Sequence, residues 1–270
     1  MRVLAVYRHP RFSPNSVEKD RAIMQAVVAR LGKLGVCTEE TGSLDGANWE
    51  FERSKPYDVI LSMDRLPETL SWLGRQKGVI INRPEAVAGC SRRHISQLMS
   101  QLHIAAPPAE GSAGYWLKRD DSSACQQGDV VYCRDVAELH LQQRRFAERG
   151  ITDAVVCAHV EGDVLKFYGV RGTPFFRWFY PTDDGDTKFG DEAHNGPAAH
   201  HPFSAAQLQA DATHLAAALE LDVYGGDAIV RPDGTYCVID FNDWPSFSRC
   251  REEAADAIVC LLKDKYGEEF

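Results

Sequence analysis

The sequence contains no C-x-x-C pair. Its eight cysteines (Cys37, Cys90, Cys125, Cys133, Cys157, Cys237, Cys250 and Cys260) are scattered along the chain, which excludes zinc-ribbon spacing and a secreted disulfide framework. Most sit in apolar runs and read as small buried hydrophobes. No apolar run reaches the length that a bilayer span requires. Met1 to Tyr7 is too short, and too soon broken by Arg8-His9-Pro10, to read as a signal peptide. There is no G-x-G-x-x-G, so a dinucleotide-binding fold gains no support, and no internal repeat stands out. Positive charge is also in deficit, with 30 Lys+Arg against 39 Asp+Glu and a net charge of −9. A nucleic-acid partner normally calls for a basic surface. The expectation is a cytoplasmic protein with reduced thiols and a small-molecule or peptide substrate, no nucleic acid and no membrane, with a homodimer left open.

What is present is an ordinary globular composition, 44% hydrophobic and 26% charged over 270 residues, enough to build a large core shared among two or three lobes. Strands and helices alternate at first. Val3 to Tyr7 reads as a buried strand, Val17 to Leu34 as a helix closed by Gly35, Tyr57 to Ser62 as a strand, Glu68 to Arg75 as a short helix, and Val79 to Asn82 as a third strand. That order predicts a small parallel α/β lobe. Arg83-Pro84 breaks the chain and Ser91 to Leu102 reads as a helix before Pro107-Pro108. Strands over Gly114–Lys118 and Val130–Cys133 and a helix over Asp135–Glu148 come next. Ala154–Val160 and Asp163–Arg171 then read as a hairpin around Glu161-Gly162. Residues 181–203 form a long polar loop of the kind that often serves a binding site. After a helix from Ser204 to Leu221, two strands flank Pro232-Asp233-Gly234, and a last helix covers Glu252 to Tyr266.

The strongest chemical signal lies between Gly226 and Asn242. Asp233-Gly234 predicts a two-residue type I′ turn. That turn pairs Val230 with Cys237, Ile229 with Val238 and Asp227 with Asp240, and alternation places Asn242 on the same face as Asp240. Opposed residues have Cβ atoms roughly 4.5–5.5 Å apart, so two carboxylates and an amide converge. Like charges so placed need neutralising, and a hard divalent cation such as Mg²⁺, held with substrate phosphates, would do it. The competing reading is that Asp240 and Asn242 cap a strand end. A three-residue loop would move Asp227 opposite Ile239 instead.

These residues resemble the ATP-grasp superfamily, whose C-terminal lobe carries a strand aspartate, then a carboxylate-x-Asn ending the next strand, then proline and a helix. Here the matching stretches are Gly226-Asp227, Ile239-Asp240-Phe241-Asn242, Pro245-Ser246-Phe247 and the final helix. Asn82 to Val87, the helix from Ser91 with His103 to Pro107, Trp116-Leu117-Lys118 and Val155 to Gly162 are similar to earlier steps of the same fold. The resemblance, nearest to ribosomal-protein glutamate ligases and glutathione synthetases, implies an α/β ATP-grasp fold behind an N-terminal parallel lobe. It divides the chain into an N-terminal lobe (1–84), a central lobe (85–157) and a C-terminal lobe carrying the metal site (158–270). It implies ATP and Mg²⁺ as cofactors. Lys118 and Arg92 would meet the nucleotide phosphates, the backbone of Ala158, His159 and Val160 the adenine edge, and Glu161 or Asp163 the ribose. Lys166 and Arg177 would face the transferred phosphoryl group, and Asp227, Asp240 and Asn242 the metal.

Two departures bear on the reaction. The phosphate-covering loop, Asp120 to Gly128, has one glycine and an acidic start. Asp240 stands where many ligases have glutamate, which is similar to the inositol-trisphosphate 5/6-kinase branch. A highly phosphorylated inositol would need a dense basic pocket, which the acidic balance disfavours. The expected activity is therefore a carboxylate–amine ligase acting through an acyl-phosphate, with a small-molecule kinase or a non-catalytic nucleotide-binding module as the alternatives.

Overall fold

The computed structural model describes residues 1–43, 56–120, 126–183 and 194–267, arranged around three sheets. The first is parallel, in the order β2 (Thr38–Thr41), β1 (Val3–Val6), β3 (Val59–Ser62), β4 (Val79–Ile81). Every residue of β1 and β3 is buried, as expected of parallel strands covered on both faces. Helices α1 (Val17–Lys33) and α2 (Pro67–Leu73) connect them. β2 was not anticipated, because Thr-Glu-Glu-Thr has no apolar alternation and serves as a polar edge.

After α3 (Pro84–Ala88) and α4 (Arg92–Gln101), the second sheet is antiparallel, ordered β6 (Val130–Cys133), β5 (Tyr115–Arg119), β7 (Ala154–Ala158), and backed by α5 (Val136–Glu148). The third is antiparallel, ordered β11 (Tyr236–Asp243), β10 (Val223–Val230), β8 (Asp163–Val170), β9 (Phe176–Phe179). One face of it packs on α4 and α6 (Ala205–Ala218), burying Phe167, Leu215, Tyr224 and Phe241. Ser91, Asp135 and Ser204 cap α4, α5 and α6 by accepting from the His94, Glu138 and Gln207 backbone N–H groups, whereas Ser16, before α1, makes no side-chain capping bond.

The hairpin expected around Glu161-Gly162 does not form. β7 belongs to the second sheet and β8 to the third, so residues 159–162 cross from one to the other. Gly162 sits at φ +148° against the Val230 backbone, a conformation and an approach that a side chain would prevent. The last helix, α7 (Arg251–Tyr266), returns to the start of the chain. Its Ala254, Ala255, Ile258 and Leu262 share one core with Ile23, Met24, Val27 and Leu31 of α1 and with Trp244 and Phe247. A division of the chain into consecutive segments therefore misses that the C-terminal helix is packed against the N-terminal lobe. No helix among the described residues is long and apolar enough to cross a membrane.

Gly226, beside Asp227, meets the Asp240 carbonyl and the Phe167 ring so closely that an added Cβ would overlap both. Gly226→Ala should cost about 1–3 kcal/mol of stability, the usual toll of overpacking, measured as a lowered midpoint in urea unfolding. An unchanged midpoint would show that β10 and β11 can part without penalty.

Candidate functional site

The hairpin carrying the acidic residues is built differently from the two-residue turn that the sequence suggested. Arg231 N–H donates to the Thr235 carbonyl at 2.8 Å and Gly234 lies at φ +82°. The loop thus has three residues with glycine in the left-handed position. Asp233 steadies it by accepting from the Thr235 N–H and hydroxyl at 2.9 and 2.7 Å. Val230 therefore pairs with Tyr236, Ile229 with Cys237 and Ala228 with Val238. That register alone would set Asp227 against Ile239. A β-bulge then skips Ile239, and Asp227 faces Asp240 after all. The bulge also lets both Ile239 and Asp240 line one cleft, which strict alternation would forbid.

The cleft lies between the second and third sheets and the N-terminal lobe, with a volume of about 660 Å³, a size suited to a small molecule. Val164, Ile229 and Ile239 give it an apolar wall beside Ala158, His159 and Val160. Asp227 and Asp240, each with its side chain 25% exposed, stand further along it with Asn242.

Each carboxylate is met by cations of the protein itself. Lys166 lies directly opposite Asp227 on β8, with Nζ 3.1 Å from Oδ1. Arg92, at the start of α4, places Nη2 3.9 Å from Asp240 Oδ2 while Nη1 donates to the Arg119 carbonyl at 2.7 Å. Lys118 donates to the carbonyl of the bulged Ile239 at 2.9 Å. Burial works to raise the Asp240 pKa, but Arg92 and Lys118, helped by a hydrogen bond from Asn242 and by Lys166, hold it below the usual carboxylate value. Asp120, the acidic start of the loop expected to cover phosphate, accepts the backbone N–H groups of Arg92 and Arg93 at 2.6 and 3.3 Å. Its charge is thus engaged by the N-terminus of α4. Residues 121–125 of that loop lie outside the described residues.

The structure gathers Arg92, Lys118, Lys166, Asp227, Asp240 and Asn242 in the cleft, with Ala158, His159 and Val160 at its apolar end. Three expected residues lie elsewhere. Arg177 is exposed on β9, ion-paired with Glu253 and lying over the Phe175 ring; it does not line the cleft. Asp163 is 4% exposed, engages both oxygens with the Ala199 and His201 N–H groups at 2.7 Å and does not line the cleft. Glu161 is exposed and outside the cleft lining. At the hinge, Ala158 and His159 N–H donate to the Pro108 and Gly114 carbonyls at 2.8 Å, so neither is available to a base.

Other cleft residues carried no sequence signal. Asn195 donates to the carbonyls of Val160 and Gly162 at 2.9 Å and so clasps the crossing between the two sheets. His194 stacks on Tyr132 at 4.4 Å and meets edge-on the ring of Trp116, which lines the cleft. Trp116 Nε1–H donates to His159 Nδ1 at 3.1 Å. Burial lowers the His159 pKa, consistent with a neutral acceptor. Burial also pushes the cleft thiols of Cys90 and Cys157 upward, Cys90 to about 12, which disfavours a thiolate nucleophile.

Among the described residues no three His, Cys, Asp or Glu side chains cluster. A metal here would be held by two carboxylates, one amide oxygen and oxygens of its ligand. That is a fit for Mg²⁺, which takes one or two carboxylates and completes its shell with phosphate and water.

No family model matches the chain and no curated protein matches it in sequence. Solved structures match it over nearly its whole length. D-alanyl-alanine synthetase A from Vibrio cholerae O1 biovar eltor has a TM-score of 0.70 at 10% identity, with 98% of each chain covered. D-cycloserine synthetase DcsG has a TM-score of 0.61 at 15% identity, covering 97% of this chain and 100% of its own. D-alanine–D-alanine ligase from Bacillus anthracis, solved in complex with ATP, has a TM-score of 0.62 at 13% identity, covering 99% and 100%. These likenesses show that the chain has the ATP-grasp fold.

Two outcomes test the charge arrangement. Lys166→Met removes the ammonium that a divalent cation would have to displace from Asp227. Mn²⁺ binding without nucleotide, followed by electron paramagnetic resonance, should tighten about fivefold, the equivalent of ~1 kcal/mol for a partly exposed pair; unchanged or weaker binding would refute that competition. For Asp240, a lowered folded pKa means that its ionic stabilisation is complete above the unfolded value of about 4. It is lost as pH falls through the folded value. The stability difference between wild type and Asp240→Asn, read from urea midpoints, should therefore hold steady from pH 7 to 5 and change only below pH 4.

Proposed function

We propose that the protein is an ATP- and Mg²⁺-dependent carboxylate–amine ligase that proceeds through an acyl-phosphate. The observation that carries this reading is the convergence of Asp227, Asp240 and Asn242 with Lys118, Arg92 and Lys166 in a single cleft. Three cations around two carboxylates leave a surplus of positive charge. That arrangement suits a phosphate chain arriving with its metal better than it suits a bare metal ion. Support also comes from the ligase and synthetase names of the similar structures and from the ATP complex of one of them.

In this reading, Asp227, Asp240 and Asn242 hold Mg²⁺, which would offset charge on the transferring phosphoryl group. Lys118, Arg92 and Lys166 would meet the phosphates. The apolar wall takes the base, with the Val160 N–H as its backbone donor, because Ala158 and His159 are already engaged. The acceptor carboxylate attacks phosphorus, ADP leaves, and an amine then displaces phosphate from the acyl carbon with loss of its proton. The protein's share is alignment and electrostatic stabilisation. Arg177 takes no part, since its guanidinium is held by Glu253 outside the cleft.

ADP release should require both an acid and an amine. Asp240→Ala and Lys118→Met should each lower it by roughly 10²-fold or more, measured by coupled assay across a panel of acids and amines. Phosphate transfer to a hydroxyl without any amine would replace the ligase reading with a kinase. Undiminished turnover in Asp240→Ala would remove the site assignment.

A further inference from the structure

Resting on the ligase reading of this cleft, we infer that its acceptor is an acid bearing a second anionic group, rather than a zwitterionic amino acid. Among the described residues, the wall that the N-terminal lobe gives to the cleft carries four cations, Arg8, Arg11, Lys19 and Arg65, against a single carboxylate, Asp20. This wall abuts the metal-site strand directly. Arg8 donates to the Trp244 carbonyl at 2.5 Å, and Arg65 is ion-paired with Asp243, the residue after Asn242. An acceptor poised for phosphorylation beside Asp240 therefore projects its remaining groups toward these cations.

Neither carboxylate at this end is open to a substrate ammonium. Asp20 is 5% exposed and accepts from Arg8 at 3.1 Å and from the Ser13 hydroxyl at 2.6 Å. Asp243 is 1% exposed; one oxygen pairs with Arg65, and the other is sealed from solvent. An ammonium placed here would lose its water without gaining a charged partner among the described residues, and would lie beside the guanidinium of Arg11. An anion meets the opposite field. Arg8 and Arg65 are committed to holding the lobes together, whereas Arg11 is exposed, with its guanidinium 4.5 Å over the Phe12 ring and no carboxylate partner among the described residues. Arg11, with Lys19 on the first turns of α1, is the pair that would receive the second anionic group.

The test is equilibrium binding by calorimetry of succinate, 3-phosphonopropionate and D-alanine, with and without saturating Mg·ADP. Wild type is compared with the double variant Arg11→Gln/Lys19→Gln. Succinate or 3-phosphonopropionate should bind about tenfold more tightly than D-alanine, as expected of a charge-matched against a charge-opposed pocket. The double variant should lose most of that preference while its Mg·ADP affinity stays unchanged. The tighter of the two dianions tells whether a carboxylate or a phosphate-like group is preferred. D-alanine binding as tightly as succinate, absence of binding by both dianions, or dianion binding indifferent to the double variant would each overturn the inference. Failure of Mg·ADP to bind, with dianion binding intact and sensitive to the variant, would instead overturn the nucleotide reading and leave the anionic pocket standing.

Discussion

Asp227 and Asp240 face one another across β10 and β11, and like charges at that spacing repel unless positive charge stands with them. Much of the cleft is arranged around this condition. Lys166 reaches Asp227 from one neighbouring strand, Arg92 approaches Asp240 from a helix, and Lys118 holds the bulge that puts Asp240 where it is. These groups come from three elements in two lobes, so the charge balance of the site and the closeness of the lobes are one problem. Opening the cleft would separate Arg92 and Lys118 from the third sheet and leave Asp240 less well compensated.

The other side of the cleft is fastened by arginine as well. Arg8 makes three contacts at once, with Met63, Asp20 and the Trp244 carbonyl, and Arg65 holds Asp243. The strand end that carries Asn242 is thereby anchored to the N-terminal lobe, and the shared core of α1, α7, Trp244 and Phe247 backs it with apolar contact. Anchoring side chains hold a cleft best when they have little freedom, and here Asp20 and Asp243 are buried while the Arg8 and Arg65 side chains are 8% and 17% exposed. Arg11, outside that network, is left to face the cleft.

How legible the site was differs from residue to residue. Asp227, Asp240 and Asn242 could be found because strand alternation and a turn motif are local rules. The turn itself was misjudged, since Pro232-Asp233-Gly234 closes a three-residue loop, and the expected pairing survives only through a bulge at Ile239. Lys118 and Lys166 were indicated only by the family resemblance, and both do line the cleft. Arg177 looked equally suited, but its partner Glu253 lies on α7, 76 residues away, and nothing local announces it. Asp163 failed in the same way, because the backbone N–H groups that consume it come from a loop beyond residue 198.

What the sequence determined by itself was most of the helices and strands, β2 and β9 apart, the buried parallel strands, and the acidic pair on one hairpin. Each depends on interactions within a few residues or across one turn, where spacing is enough. Only the tertiary structure decided that β7 and β8 part into different sheets, that α7 returns to the N-terminal core, and which charged side chains point into the cleft. The reason is physical. A charged side chain goes to whichever partner lowers its free energy most, and for Arg177, Asp163, Arg65 and Arg92 that partner sits far along the chain and comes near only when the lobes pack.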